Sequence, residues 1–180
     1  MKSRFLNTLA PVALAASLSF AVPAAFAKSP AEWQALASKT TVMLDQAIAK
    51  AAEAGQGKVI DIELDDDDGA APRFEAKVAT PAGNTVEVWV NAISGEAAVH
   101  KQKGKTPSKD IKRMKESRIS LTQAVEAALK GTPGTPVGAE LDSNWGKASY
   151  DVEVLQQDGS VMKVKIDAAN SAVIRSKKAD

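Results

Sequence analysis

The feature that most limits what this chain can fold into is that it carries one pattern twice. The segment LDQAIAKAAEAGQGKVIDIELDDDDG, from Leu44, aligns with LTQAVEAALKGTPGTPVGAELDSNWG, from Leu121. Both open with Leu, Gln and Ala in register and reach Gly57 and Gly134. Both then pass through Glu-Leu-Asp, at Glu63–Asp65 and Glu140–Asp142, and close on Gly69 and Gly146. RFEAKVATPAGNTVEVWVNAISGEA next aligns with SYDVEVLQQDGSVMKVKIDAANSAV. The offset is 77 at Leu44/Leu121 and 76 at Phe74/Tyr150, so one loop residue is gained or lost between them. Self-similarity of this length predicts two copies of one structural unit.

Each copy reads as a helix followed by antiparallel strands. Leu121, Val125 and Ala128 recur at helical spacing behind a capping-box pattern, Ser120 with Gln123. Leu44, Ile48 and Ala51 repeat the stripe in the first copy. Gly55–Gly57 and Gly131–Gly134, with Pro133 and Pro136, end the helices. Period-two apolar runs follow at Ile60/Ile62/Leu64, Phe74/Ala76/Val78 and Val86/Val88/Val90. Their counterparts are Val137/Ala139/Leu141, Tyr150/Val152/Val154 and Met162/Val164/Ile166. Asp158–Gly159 reads as a two-residue hairpin turn, and Ala82–Gly83–Asn84 as a looser one. Short last strands are predicted at Ala97–Val99 and Val173–Arg175. The expected fold class is therefore α+β, with two tandem small units. Each is one helix packed on a three- to four-stranded antiparallel sheet.

The organisation that follows is residues 1–27 as a cleavable signal peptide and 28–100 as unit 1 with an N-terminal helical lead. Residues 101–117 form a basic linker and 118–180 form unit 2. Lys2 and Arg4, the apolar LAPVALAASLSFAV and the small-x-small Ala25–Phe26–Ala27 have the layout of a secretory signal. The mature chain would begin near Lys28, with 21 basic and 22 acidic residues and a net charge of −1. That balance disfavours nucleic acid or an anionic membrane as the main partner. No later apolar run could span a bilayer, so no stable membrane insertion is expected after cleavage. The chain has no cysteine, hence no disulfide and no lipid-attachment cysteine.

The run Asp65–Asp68 before Gly69 invites comparison with a calcium loop. With Gly69 at the sixth place of an EF-hand loop, Asp66 and Asp68 fall at three and five and Glu75 at twelve, but the first place is Leu64, which offers no oxygen. The matching turn in the second copy, DSNWG, lacks the acids. Adjacent unit charges about 7 Å apart in water repel by only about 0.6 kcal/mol, so no cation is required. A solvated turn is the simpler reading.

Four phrases together resemble the PepSY family. They are ISLTQAVEAAL at Ile119–Leu129, AELD at Ala139–Asp142, YDVEV at Tyr150–Val154 and MKVKIDAANSAV at Met162–Val173. The first copy supplies LDQAIAKA, IELD, FEAKV and VWVNAISGEA. Asn91 stands where the family has Asp, and Asn170–Ser171 where it has a turn glycine. The resemblance implies a non-catalytic module of the kind found in propeptides of secreted metallopeptidases and in envelope proteins that restrain peptidases.

Residues that could carry chemistry are sparse. Cysteine nucleophiles are absent, and the lone His100, beside Lys101 and Lys103, has no evident partner. No zinc spacing, P-loop or dinucleotide fingerprint appears. Asp65 and Asp142 occupy equivalent turns of separate copies, so they do not read as a carboxylate dyad. No catalytic, cofactor-binding or metal residue is assigned, and no cofactor or enzymatic activity is expected. The linker Lys101–Arg118 carries eight basic residues against Asp110 and Glu116, a stretch able to grip an acidic partner or anionic headgroups; the simpler reading is a solvated connector with a short helix from Asp110 to Lys115. Trp89 falls on the sheet face away from the helix, opposite in phase to Val88 and Val90, and Trp145 lies in a hairpin turn. Exposed aromatics of this kind are contact anchors; the alternative is that Trp33, Trp89 and the two copies bury one another.

The expected function is that of an exported, periplasmic binding or regulatory module. It would modulate a peptidase or other envelope protein by edge-strand pairing or through the uncovered sheet face. The alternative is a small-ligand or divalent-metal sensor using the acidic turn and the groove between copies.

Overall fold

A computed structural model describes residues 28–66 and 71–179. The expected signal peptide, and Asp67, Asp68 and Gly69 of the acidic run, lie outside the described residues. Helix α1 (Pro30–Ser38) leads into α2 (Leu44–Gly55), followed by β1 (Lys58–Asp65), β2 (Arg73–Ala79), β3 (Asn84–Asn91) and β4 (Ala97–Lys105). The second copy repeats the order as α3 (Ser108–Glu116), α4 (Leu121–Gly131), β5 (Thr135–Asn144), β6 (Lys147–Leu155), β7 (Val161–Asp167) and β8 (Val173–Lys178).

The two copies do not form separate sheets. Their strands join in the order β4-β3-β2-β1-β5-β6-β7-β8, antiparallel throughout. At the junction Asp61 lies opposite Glu140, Ile62 opposite Ala139 and Glu63 opposite Gly138. Advancing Asp61, Ile62 and Glu63 by the repeat offset gives Gly138, Ala139 and Glu140. Ile62 thus pairs with its own equivalent, and Asp61 and Glu63 pair with each other's, so a pseudo-two-fold axis passes through the Ile62/Ala139 pair. This pairing hides the first strand of each copy, which would otherwise be an open edge. It also merges two cores into one continuous apolar cluster. A unit of about 60 residues buries only about 60% of its unfolded surface, so mutual burial is a direct route to stability without disulfides.

The helices bury the predicted stripes: Leu44, Ala47, Ile48 and Ala51 on α2, and Leu121, Ala124, Val125 and Ala128 on α4. The Ser120–Gln123 capping box is formed in both directions. Gly57 and Gly134 are shared by the copies for a steric reason. A Cβ at Gly57 would lie 2.3 Å from the Ala79 carbonyl oxygen, and one at Gly134 would lie 2.5 Å from that of Leu155.

Two local expectations are corrected. Asp158–Gly159 is not a two-residue turn. Gln156 and Ser160 close a three-residue loop with Gly159 at φ 81°, and Thr80 and Asn84 close its equivalent with Gly83 at φ 77°. The last strands are longer than predicted: β4 runs to Lys105 and β8 to Lys178. Both are outer edges whose side chains are almost all exposed, so no apolar alternation marks them in the sequence. Lysines and register shifts along both edges discourage further strand addition.

Candidate functional site

The helix layer leaves a groove between α2 and α4, and this groove has two lobes related by the pseudo-two-fold. One lobe, a cavity of 290 Å³, lies between the α2 N-terminus (Met43, Leu44, Asp45) and Val125 and Leu129 of α4, with Gly134 and Pro136 beyond. The other, more open and 600 Å³, lies between the α4 N-terminus (Ser120, Leu121, Thr122) and Ile48 and Ala52 of α2, with Gly57 and Val59 beyond. Residue for residue, these are the same positions of the two copies. The repeat therefore creates the groove, each half built from one copy's helix start and the other copy's helix end.

The lobes differ in lining. Leu64 and Phe74 form part of the smaller lobe, whose mouth carries Asp45, Glu126 and the 63% exposed Met43. The larger lobe is instead bordered by Pro81, Lys58 and Met114 of α3. Tyr150, the counterpart of Phe74, donates from its hydroxyl to the Ile119 carbonyl at 2.9 Å.

The sheet face away from the helices is polar and largely self-satisfied. Trp89 lies there, as its phase predicted, stacked on His100 with ring centroids 3.5 Å apart and the Arg73 guanidinium carbon 4.0 Å from its ring centroid. His100 thus has a partner that its isolated position in the sequence did not reveal; its Nε2 also lies 4.0 Å from Glu87. In the second copy the same register holds Lys165, which is buried and contacts Asp142 at 2.7 Å and Asp151 at 2.6 Å. Burial alone would lower the Lys165 pKa, but bonds to these two carboxylates outweigh it and hold the ammonium above its usual range.

Over the copy junction, Gly138 leaves a small polar cleft of 180 Å³ flanked by Asp61, Glu63, Glu140, Asp151, Glu153 and Lys163. Burial, then the charges of Glu153, Asp61 and Asp65, push the Glu63 carboxyl up. Burial, with Asp61, Asp151 and Asp142 adding to it against Lys163, does the same for Glu140. Among the described residues no group of three or more histidine or carboxylate side chains is arranged to hold a metal.

The structure does not bring Asp65 and Asp142 together into a dyad. Asp65 takes an ion pair from Lys28, whereas Asp142 is held by Lys165 and by Arg113 of α3 at 3.4 Å. Glu75, the twelfth-place residue of the calcium comparison, lies within β2 and accepts from Arg73 Nε at 2.9 Å.

Trp145 is the outlier of the surface. It is 97% exposed at the tip of the β5–β6 hairpin, with φ 49°, and Gly146 follows at φ 81°. A two-residue loop with both residues at positive φ is a type I′ turn, which favours Asn-Gly. A tryptophan in the left-handed region costs roughly 1 kcal/mol or more.

With this geometry in view, the chain matches the family model described as the peptidase propeptide and YPEB domain, PepSY, at residues 42–98 and again at 118–177. It belongs to the PepSY family and carries two copies of the domain in tandem. Comparison with proteins of curated function gives no match. Among solved structures the chain is similar to a candidate lipoprotein from Clostridium difficile 630. The identity is 19%, over 78% of this chain and 95% of that one, with a TM-score of 0.44. No described helix is long and apolar enough to cross a membrane.

Proposed function

We propose that this protein is an exported, non-catalytic binding module that modulates another envelope protein, a peptidase in the first instance, by receiving an apolar segment of it in the groove between α2 and α4. The observation that carries this reading is the duplication of the groove. Two equivalent apolar recesses face the same way across the helix layer, and each needs both copies. The alternative surfaces are less suited. The outer edges are lysine-rich and irregular, and the open sheet face is occupied by ion pairs and the Trp89 stack. The acidic mouth formed by Asp45 and Glu126 favours a segment in which a basic residue flanks the apolar one.

A photo-crosslinking residue at Met43, in the chain from Lys28 onward, tests this in an envelope extract. Capture of a peptidase or other envelope protein, abolished by Leu129→Glu in a chain that still melts cooperatively, supports the reading. Capture from positions on the open sheet face but not from Met43 would overturn it. The less open 290 Å³ lobe also suits a second reading, a sensor of a small apolar ligand. Such a ligand would raise the melting temperature by several degrees with no protein partner present.

A further inference from the structure

We infer that the β5–β6 hairpin tip, with α3 beside it, is a docking point for an anionic lipid surface, and that it acts separately from the groove. Trp145 is the first observation. Folding gives no reason for it, because the turn prefers another residue at that φ and the side chain rests on nothing. The second is the charge of the tip and of the helix fixed to the base of its hairpin. Arg113 of α3 reaches the Leu141 carbonyl and the Ser143 hydroxyl, which fixes the helix against the base of this hairpin. Lys109, Lys112 and Lys115 of α3 and Lys147 of the tip itself are exposed. Among the described residues the ion pair seen for this set is a long one, Lys112 to Glu116 at 3.8 Å.

A bilayer fits this patch better than a protein partner does. A protein hot spot centres an aromatic within a surrounding apolar patch that excludes water. Trp145 instead projects without a surrounding apolar patch, on a hairpin whose tip carries Lys147 and whose base is held by the lysine-rich α3. An indole is suited to the headgroup boundary of a membrane, where one side is apolar and the other wet. Lysines just outside that boundary gain about fivefold in affinity each from anionic headgroups. A single tryptophan and a few lysines give weak, reversible, salt-sensitive attachment, with no insertion of a helix.

The test is flotation of the chain from Lys28 onward with vesicles of phosphatidylcholine alone and of phosphatidylcholine mixed with phosphatidylglycerol. The expected result is binding to the anionic vesicles only, weakened by added salt. Trp145→Asn should bind about tenfold less tightly while melting at the same or a higher temperature, because asparagine suits the turn. Lys109→Glu/Lys112→Glu should abolish binding. No flotation with anionic vesicles, flotation that Trp145→Asn leaves unchanged, or a protein captured from a photo-crosslinker at Trp145 would each overturn the inference. Failure here leaves the groove untouched, since Met43 and Leu129 take no part in it.

Discussion

Trp89 on β3 and Lys165 on β7 stand at the same register of equivalent strands, and the fold solves the position in two chemically different ways. In the first, an indole is stacked between a guanidinium and an imidazole. In the second, an ammonium is buried against two carboxylates. On the helix-facing side the copies instead agree closely: Leu44 with Leu121, Ile48 with Val125, Ala76 with Val152 and Ala92 with Ala168, all buried. The repeat therefore specifies one face of the sheet and leaves the other free to diverge. The stability of that second face rests on local partnerships particular to each copy.

The largest expected effect breaks the comparison at Lys165. Lys165→Ala leaves the Asp151 carboxylate buried without its cation and should cost about 3–5 kcal/mol in denaturant unfolding. Trp89→Ala, at a half-buried position with no charge left behind, should cost clearly less. If the two losses were equal, the buried pair would not be the element that distinguishes the copies. The double variant Lys165→Met/Asp151→Leu should recover most of the loss, because an ion pair replaced whole by apolar groups is often neutral.

The pH profile sharpens the contrast between the junction and the flanks. Glu63 and Glu140 hold their protons in the folded state at a pH where the unfolded chain, near 4.5, has released them. The folded state then binds more protons, so stability should rise as pH falls from neutral towards that value. Asp142 and Glu87 are shifted downward, Asp142 against its burial by Lys165 and its other partners, and Glu87 chiefly by Lys103. Their contribution is present above about 4 and is lost as pH falls further. Thermal melting across this range should therefore peak on the acid side of neutral. Glu63→Gln/Glu140→Gln should flatten the rise and leave the low-pH loss in place.

A smaller effect concerns the final turn of each copy. Gly95 has φ 76°, and its equivalent Ser171 is forced to φ 64°. Ser171→Gly should stabilise by about 1 kcal/mol, raising the melting temperature by about 2–4 °C, and Gly95→Ser should lower it comparably. No change at either position would mean that the turn conformation carries no strain. Tyr150→Phe, which makes the second copy match Phe74 of the first, should cost about 1 kcal/mol through loss of the bond to Ile119.

What could be read from the sequence was what periodicity records. The apolar stripes of α2 and α4, the inward faces of the inner strands and the capping box at Ser120 all leave a pattern at fixed spacing. The length of β4 leaves none, because Lys101, Lys103 and Lys105 on an outer edge look like a charged connector. His100 seemed isolated for a related reason: its partner Trp89 is on the neighbouring strand, and register between strands is not written in either one. Packing between copies follows from their small size, but the groove does not. Its lobes join positions about 80 residues apart through a pairing of β1 with β5 that only the structure displays. Trp145 was visible as a turn residue, and its strain and complete exposure were not.

The account rests on β1 and β5 being the two central strands of one sheet, and hydrogen exchange at single-residue resolution tests that directly. Amides of 61–63 and 138–140 should exchange as slowly as those of β2 and β6, only through global unfolding, while those of β4 and β8 exchange faster. Rapid exchange at 61–63 and 138–140, comparable to the outer strands, would mean that the copies meet loosely and that the shared groove does not exist.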